Sequence, residues 1–380
     1  MITRVRLVLL LARPAVVLLL AMFTATGAAE VGHAQSGSVV LALACVAGFL
    51  LFSVACNDLA DEAIDRINLP GKRPLAAGLL GRREFVIIGC AAGAVALAAG
   101  ALIGLRASAV VTAGMAISAG YSLRPVRLAD RGAVASMVLP ACYVAVPYLL
   151  GVLAAGGRPR LGTLALLGGL YLGFTGRIVL KDFRDVRGDA LFGKRTFLIR
   201  HGRVPTCVFS AGCWLAGTIL MLLATRRITV AFAAAEAACL AGALVLLRAL
   251  AADRGGRRDD AIISSIAILG RAMVLLLLAH LSMRPPVPIA SGGWSALWYD
   301  LVIAGIAVTC VGQAWTMARN GPTSGLAIPA WLVARDKAEQ GDHGALCESG
   351  AWVVGGVLVR DPRDQGQQQG DAVLRRGGGM

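Results

Sequence analysis

Long apolar runs separated by short basic connections set the rhythm of this chain. Such runs occupy residues 7–28, 38–56, 85–103, 107–121, 134–154, 161–180, 204–224, 228–247 and 262–281, with a candidate tenth at 301–317. Most hold about 18–22 residues, the length a helix needs to cross the hydrocarbon core with its backbone bonded internally. The fourth is short and carries glycine, so its ends are soft. Transmembrane β-strands alternate over about ten residues and do not produce such runs. The pattern predicts an all-α, polytopic membrane bundle of about nine spans, ten if the last is real. Residues 1–283 form the membrane domain, 284–334 a Pro/Gly connector holding the candidate tenth helix, and 335–380 a polar tail that reads as disordered. Arg4 and Arg6 before the first run, with TGAAEVGHAQ after it, are similar to a secretory signal. That run is nonetheless long enough to span and reads as a retained first helix.

Two polar islands interrupt the pattern. Asn57–Gly78 reads NDLADEAIDRINLPGKRPLAAG, and KDFRDVRGDALFGKR begins at Lys181. The basic residues show which way the islands face. Connections 57–84, 122–133, 181–203 and 248–261 carry five, three, seven and four Lys/Arg, whereas the alternate connections carry none, one, two and two. By the positive-inside rule the first set is cytoplasmic, as is the start with Arg4, Arg6 and Arg13. Four crossings separate the islands, so both open on the same side of the cell membrane.

Composition supports this reading. The chain is 57% hydrophobic and 16% charged, with mean hydropathy +0.72, against roughly 25% charge in soluble proteins. Its net charge of +15 belongs to topology. No zinc pattern or aromatic–basic interleaving is present to receive a nucleic acid. The nine cysteines are scattered, without CxxC or Cys/His clusters, and read as small hydrophobes.

Charge in the islands points to chemistry. Asn57, Asp61 and Asp65 recur every four residues and share one helical face. Asp182, Asp185 and Asp189 repeat the theme. Carboxylates gathered this way need a cation, and magnesium suits them, being a hard ion that takes oxygen ligands and shares them with substrate phosphates. Arg66, Lys72, Arg73, Lys181, Lys194 and Arg195 stand beside them. A bare metal store has no use for such neighbours; a diphosphate held between metal and guanidinium groups does.

The pattern NDxxDxxxDRIN…KRP at 57–74 resembles the first aspartate-rich motif of the UbiA superfamily of intramembrane prenyltransferases. KDFRDVRGDxxxGKRTF at 181–197 resembles the second, YSLRPVRL at 121–128 the segment between spans four and five, and Arg13-Pro14 also fits. In motif style the chain is closest to the chlorophyll synthase and archaeal geranylgeranylglyceryl phosphate synthase branches. The resemblance implies about nine helices around a central cavity and Mg2+-dependent transfer of a prenyl group from an isoprenoid diphosphate to a lipophilic acceptor. By the same resemblance, Asn57, Asp61 and Asp65 hold one magnesium, and Asp182, Asp185 and Asp189 the other. The catalytic carboxylates are then Asp61, Asp65, Asp182 and Asp185. Lys72, Arg73 and Lys181 grip the diphosphate, helped by Arg66 and Lys194, while Tyr121 and Arg127 line the leaving-group end. Asp58 points off the Asp61/Asp65 face and reads as a brace. Close members carry lysine at the position of Ala129; Arg124 and Arg131 are its candidate substitutes here. The alternative within the superfamily is a membrane terpene cyclase acting on the same donor.

Charges inside spans are costly and face the interior or pair. Arg177, one turn before Lys181, is expected on the substrate side. Glu236 and Arg271 are candidates to pair across spans eight and nine, against each facing the interior alone. His201 reads as an interfacial residue.

Overall fold

A computed structural model describes residues 13–32, 36–68, 73–191, 193, 196–253, 258–282, 301, 304–312, 314–315, 351–354 and 357–360. Helix α1, Pro14–Val31, starts with proline in its first turn, where the missing N–H is not needed. The apolar run from residue 7 thus includes a helix start at Pro14, and residues 7–12 lie outside the described residues. Helix α2, Ser36–Asn68, has 33 residues, or about 50 Å at 1.5 Å per residue. That exceeds a hydrocarbon core of about 30 Å, so its last three turns carry the first acidic island clear of the apolar layer.

Helices α3 (Arg82–Ile103) and α4 (Leu105–Ser122) follow. Then α5 (Ala133–Pro140) passes through a π turn, Ala141–Ala145, into α6 (Val146–Ala154). Pro147 has no N–H for the Tyr143 carbonyl, and the widened turn accommodates that gap. Helix α7 (Leu161–Ile178) leads through one 3-10 turn into α8 (Asp182–Leu191), the second island. The short α9 (Phe197–His201) precedes α10 (Arg203–Ala224), α11 (Val230–Ala252) and α12 (Asp259–Ser282).

Seven of the described helices are long and apolar enough to cross a membrane, counting α5–α6 as one pass. Helix α1 is apolar but shorter, over Val16–Val31, and α4 packs beside α3. Small residues let backbones touch, as membrane helices require. A Cβ on Gly151 would lie 1.9 Å from the Thr24 carbonyl oxygen, joining α6 to α1. One on Gly217 would lie 2.6 Å from the Gly173 nitrogen, joining α10 to α7. The core gathers Met22, Phe23, Tyr148, Leu166, Leu277 and neighbours.

The candidate tenth span is helical over 304–312. Ile306 and Cys310 are buried in the same core, with Cys310 Sγ 3.2 Å from Met22 Sδ. Residues 329–380 form a separate unit. Within it β1 (Ala351–Val354) pairs antiparallel with β2 (Val357–Arg360), Trp352 opposite Val359. Part of the tail expected to be disordered is therefore strand, which its valine-rich sequence favours. Every other described regular element is helical.

Candidate active site

Helix α8 packs against the projecting end of α2, bringing the two acidic islands together. Between them lies a cavity of about 250 Å³. Asn57, Asp61, Asp65, Arg73, Tyr121, Arg177, Lys181 and Asp182 all line it, although they come from positions more than a hundred residues apart. Asn57, Asp61 and Asp65 reach it together because their four-residue spacing keeps them on one face of α2.

A ladder of charges fixes one wall. Asp58, 1% exposed, accepts from Arg13 Nη2 at 2.5 Å and lies 3.8 Å from Arg73 Nη1. Arg73 Nε in turn lies 3.7 Å from Asp65 Oδ2. Burial, and then the nearby Arg13 guanidinium, push the Arg73 pKa below its ordinary value; Asp58 and Asp65 oppose this. Asp58 braces the wall as its off-face position suggests.

Arg127 lies behind Asp61, outside the cavity lining. Its Nη2 donates to Asp61 Oδ1 at 2.9 Å, its Nη1 to the Ala60 carbonyl at 3.3 Å, and its Nε pairs with Asp130 at 2.7 Å. These contacts hold Arg127 at φ 36°, a left-handed conformation costing about 1–2 kcal/mol for a residue with a Cβ. Asp130, which follows the departure at Ala129, thus serves to orient Arg127. On the opposite side, Lys181 Nζ donates to the Tyr121 hydroxyl at 3.5 Å.

Other expected site residues fall elsewhere. Arg66 points outward and pairs with Glu62 at 2.6 Å. Lys72 and Lys194 lie outside the described residues. Asp185 and Asp189 follow Asp182 on α8 by three and seven residues, the spacing of one helical face; their side chains are not described. Helix α8 itself is anchored to α12, since Arg184 Nε pairs with Asp260 at 2.9 Å and its Nη2 donates to Ser264 Oγ at 2.8 Å. Arg203 binds both oxygens of Asp259 at 2.8 and 2.7 Å while lying 5.0 Å above the Phe183 ring.

Several lining residues have no spacing signal. Arg13, Ser136, Tyr143, Thr196 and Arg271 complete the wall. Arg271 was a candidate partner for Glu236. Instead it faces the cavity, and Glu236 is fully buried with neither carboxylate oxygen hydrogen-bonded among the described residues. Which way each side chain faces is set by helix packing, which spacing along the sequence does not encode.

Among the described residues five cations (Arg13, Arg73, Arg177, Lys181, Arg271) and three carboxylates (Asp61, Asp65, Asp182) line the cavity, so it favours an anionic ligand. No group of three His, Cys, Asp or Glu among the described residues is close enough to hold a metal alone. Asp65 Oδ2 is nevertheless buried without a hydrogen-bond partner. Oxygen donors too few for a closed site fit a hard ion that completes its shell with water and phosphate oxygens. Beside the cavity runs an apolar groove lined by Phe23, Leu170, Trp214, Met221 and Val274. Leu19, Phe174, Arg177 and Arg271 line both spaces.

These features define a polytopic helical membrane protein with a charged cavity beside an apolar groove. Residues 17–266 match the model of the UbiA prenyltransferase family, and the chain belongs to that family. Digeranylgeranylglyceryl phosphate synthase of Thermococcus gammatolerans is 31% identical over 198 residues, 50% of this chain and 68% of that protein. The bacteriochlorophyll synthase 34 kDa chain of Chloroflexus aurantiacus is 28% identical over 153 residues, 40% of this chain. The chain spans 48% of the length of that Chloroflexus relative. A UbiA homolog from Archaeoglobus fulgidus, solved with GPP and Mg2+, has a TM-score of 0.59 at 18% identity, covering 73% of this chain and 100% of its own. That likeness is one of fold.

Proposed function

We propose that this protein transfers a prenyl group from an isoprenoid diphosphate to a lipophilic acceptor, with Mg2+, at a site opening on the cytoplasmic side of the cell membrane. The observation that carries this reading is the cavity shared by Asn57, Asp61, Asp65 and Asp182 with Arg73, Tyr121 and Lys181, beside an apolar groove that shares Leu19, Phe174, Arg177 and Arg271 with it. Asn57, Asp61 and Asp65 would hold one magnesium, and Asp182 with Asp185 and Asp189 the other. Bound magnesium supplies charge neutralisation as the diphosphate leaves.

The chain's own groups do the rest. Arg73 and Lys181 hold the diphosphate oxygens, with Lys72 and Lys194 from the same basic segments. Tyr121 directs its hydroxyl toward the leaving group, in contact with Lys181. The groove takes the hydrocarbon chain, and its apolar walls keep water from the allylic cation. Names of relatives support the class: a digeranylgeranylglyceryl phosphate synthase, bacteriochlorophyll synthase chains and a homogentisate phytyltransferase of Synechocystis.

The test is mass spectrometry of products after the purified protein in lipid nanodiscs is offered isoprenoid diphosphates of several lengths with a lipid extract. A prenylated acceptor, formed only with Mg2+, is expected. A cyclic hydrocarbon released from the diphosphate alone would replace transfer by cyclisation, and no consumption of any donor would overturn both.

A further inference from the structure

The apolar groove has a direction and an end. Arg177 and Phe174 line both it and the charged cavity, so the two spaces meet at that level of α7. From there the groove lining runs back along α7 to Gly169, eight residues from Arg177, or about 12 Å at 1.5 Å per residue. At Gly169 the helices close up, since a Cβ there would lie 2.7 Å from the Met221 nitrogen on α10. Met221 is 4% exposed and shares one buried core with Phe23 and Val274, which also line the groove. The far end is therefore packed core, with Met221 as its floor.

Among the described residues four glycines line the groove, and contact accounts for three of them. A Cβ on Gly169, Gly217 or Gly270 would lie 2.7, 2.6 or 3.0 Å from its nearest neighbour. Gly173 differs: a Cβ there would meet no atom within 4 Å. Glycine weakens a helix relative to alanine, and close packing does not call for it at this position. A side chain at 173 would fill the groove instead, midway between Arg177 and Gly169.

We infer that the donor's hydrocarbon chain runs along α7 past Gly173 and stops at Met221, and that these two residues select donors of two to three isoprene units. This rests on the prenyl-transfer reading above, which sets the diphosphate in the charged cavity and the first carbon where the two spaces meet. Carbon–carbon bonds of about 1.5 Å meeting at about 111° advance about 1.25 Å each, so the four backbone bonds of an isoprene unit span about 5 Å. Gly173 stands about 6 Å into the groove, so the first unit reaches it and the second must pass it. A groove of about 12 Å holds both units of a geranyl chain and takes up the third of a farnesyl chain at its limit. The fourth unit of geranylgeranyl would have to displace Met221. Surrounding lipid is as apolar as the groove, so added length gains little on entry. Selection comes from exclusion, because extra carbons forced into a filled core push side chains off their rotamers.

The test measures kcat/KM for Mg2+-dependent diphosphate release by the full chain in nanodiscs with a lipid extract. The donors are dimethylallyl, geranyl, farnesyl and geranylgeranyl diphosphates. The wild type should favour geranyl and farnesyl over geranylgeranyl by at least about tenfold, the penalty typical of overfilling a packed core. Gly173→Leu should lower the farnesyl-to-dimethylallyl ratio at least about tenfold by the same exclusion. Gly173→Ala, whose single methyl meets open space, should lower it by less. Met221→Ala should raise the geranylgeranyl-to-farnesyl ratio about tenfold by removing the floor. Loss of folded protein scales all donors alike, so these ratios report the groove itself. Ratios unchanged in all three variants, or a wild type that uses geranylgeranyl as well as farnesyl, would overturn the assignment. A wild type that releases no diphosphate from any donor would overturn the prenyl-transfer reading instead.

Discussion

Arg127 donates to Asp61 at 2.9 Å across 66 residues of sequence, from a loop to the face of a helix. Its guanidinium also holds the Ala60 carbonyl, so the carboxylate and its backbone are oriented as one piece. Groups that orient a metal-binding carboxylate typically contribute about 10–100-fold to metal affinity. Arg127→Gln should therefore raise the Mg2+ concentration for half-maximal diphosphate release at least about tenfold. Donor KM at saturating Mg2+ should stay near the wild-type value. A raised donor KM with unchanged Mg2+ dependence would place Arg127 on the diphosphate.

Asp58 is the counter-charge for two arginines. With its carboxylate 2.5 Å from Arg13 and 3.8 Å from Arg73, Asp58→Ala leaves both cations facing each other in a buried wall. Breaking such a pair costs about 3–5 kcal/mol. Thermal unfolding in detergent should show a lowered midpoint, and the double variant Asp58→Ala with Arg13→Ala should recover part of it. An unchanged midpoint in the single variant would refute the ladder.

Helix α8 owes its place to Arg184. Arg184→Leu removes the links to Asp260 and Ser264 and should speed amide exchange across residues 182–191 while leaving α7 and α10 protected, because local opening follows the loss of local contacts. Uniform exchange changes across all three helices would indicate global destabilisation instead.

Glu236 carries the opposite expectation. It is fully buried, and both its oxygens lack hydrogen-bond partners among the described residues. An unsatisfied buried polar group costs about 1–3 kcal/mol, so Glu236→Met should raise the unfolding midpoint and leave diphosphate release unaltered. A fall in stability would mean that the carboxyl has a partner in the assembled membrane state.

The spans were legible because a membrane imposes one requirement along some twenty residues, and the apolar runs report it directly. The start of α1 was not read there, although Arg13 and Pro14 interrupt the apolar run that begins at residue 7. Asn57, Asp61 and Asp65 were readable as a set because their spacing itself encodes a shared face. Arg66 shows the limit of adjacency: one residue beyond Asp65 is about 100° around the helix, and the side chain pairs with Glu62 instead of entering the cavity. Arg271 and Arg13 have no periodic partner. Whether a lone cation faces a neighbouring acid or a cavity depends on helix rotation, which only packing reveals. The paired strands Ala351–Val354 and Val357–Arg360 fall in a valine-rich piece of the polar tail, which is too short to span, so a search for spans gave it no structure.

The central claim is that the two acidic islands act together on one diphosphate. Its most direct measurement is Mg2+-dependent diphosphate release from an allylic isoprenoid diphosphate by the wild type and by Asp61→Asn, Asp65→Asn and Asp182→Asn, each verified as folded in the membrane. Metal-assisted charge stabilisation is worth several kcal/mol, so each variant should lose at least about 100-fold in rate. Release at near wild-type rates in variants of either island, or release that persists when Mg2+ is removed with EDTA, would contradict it.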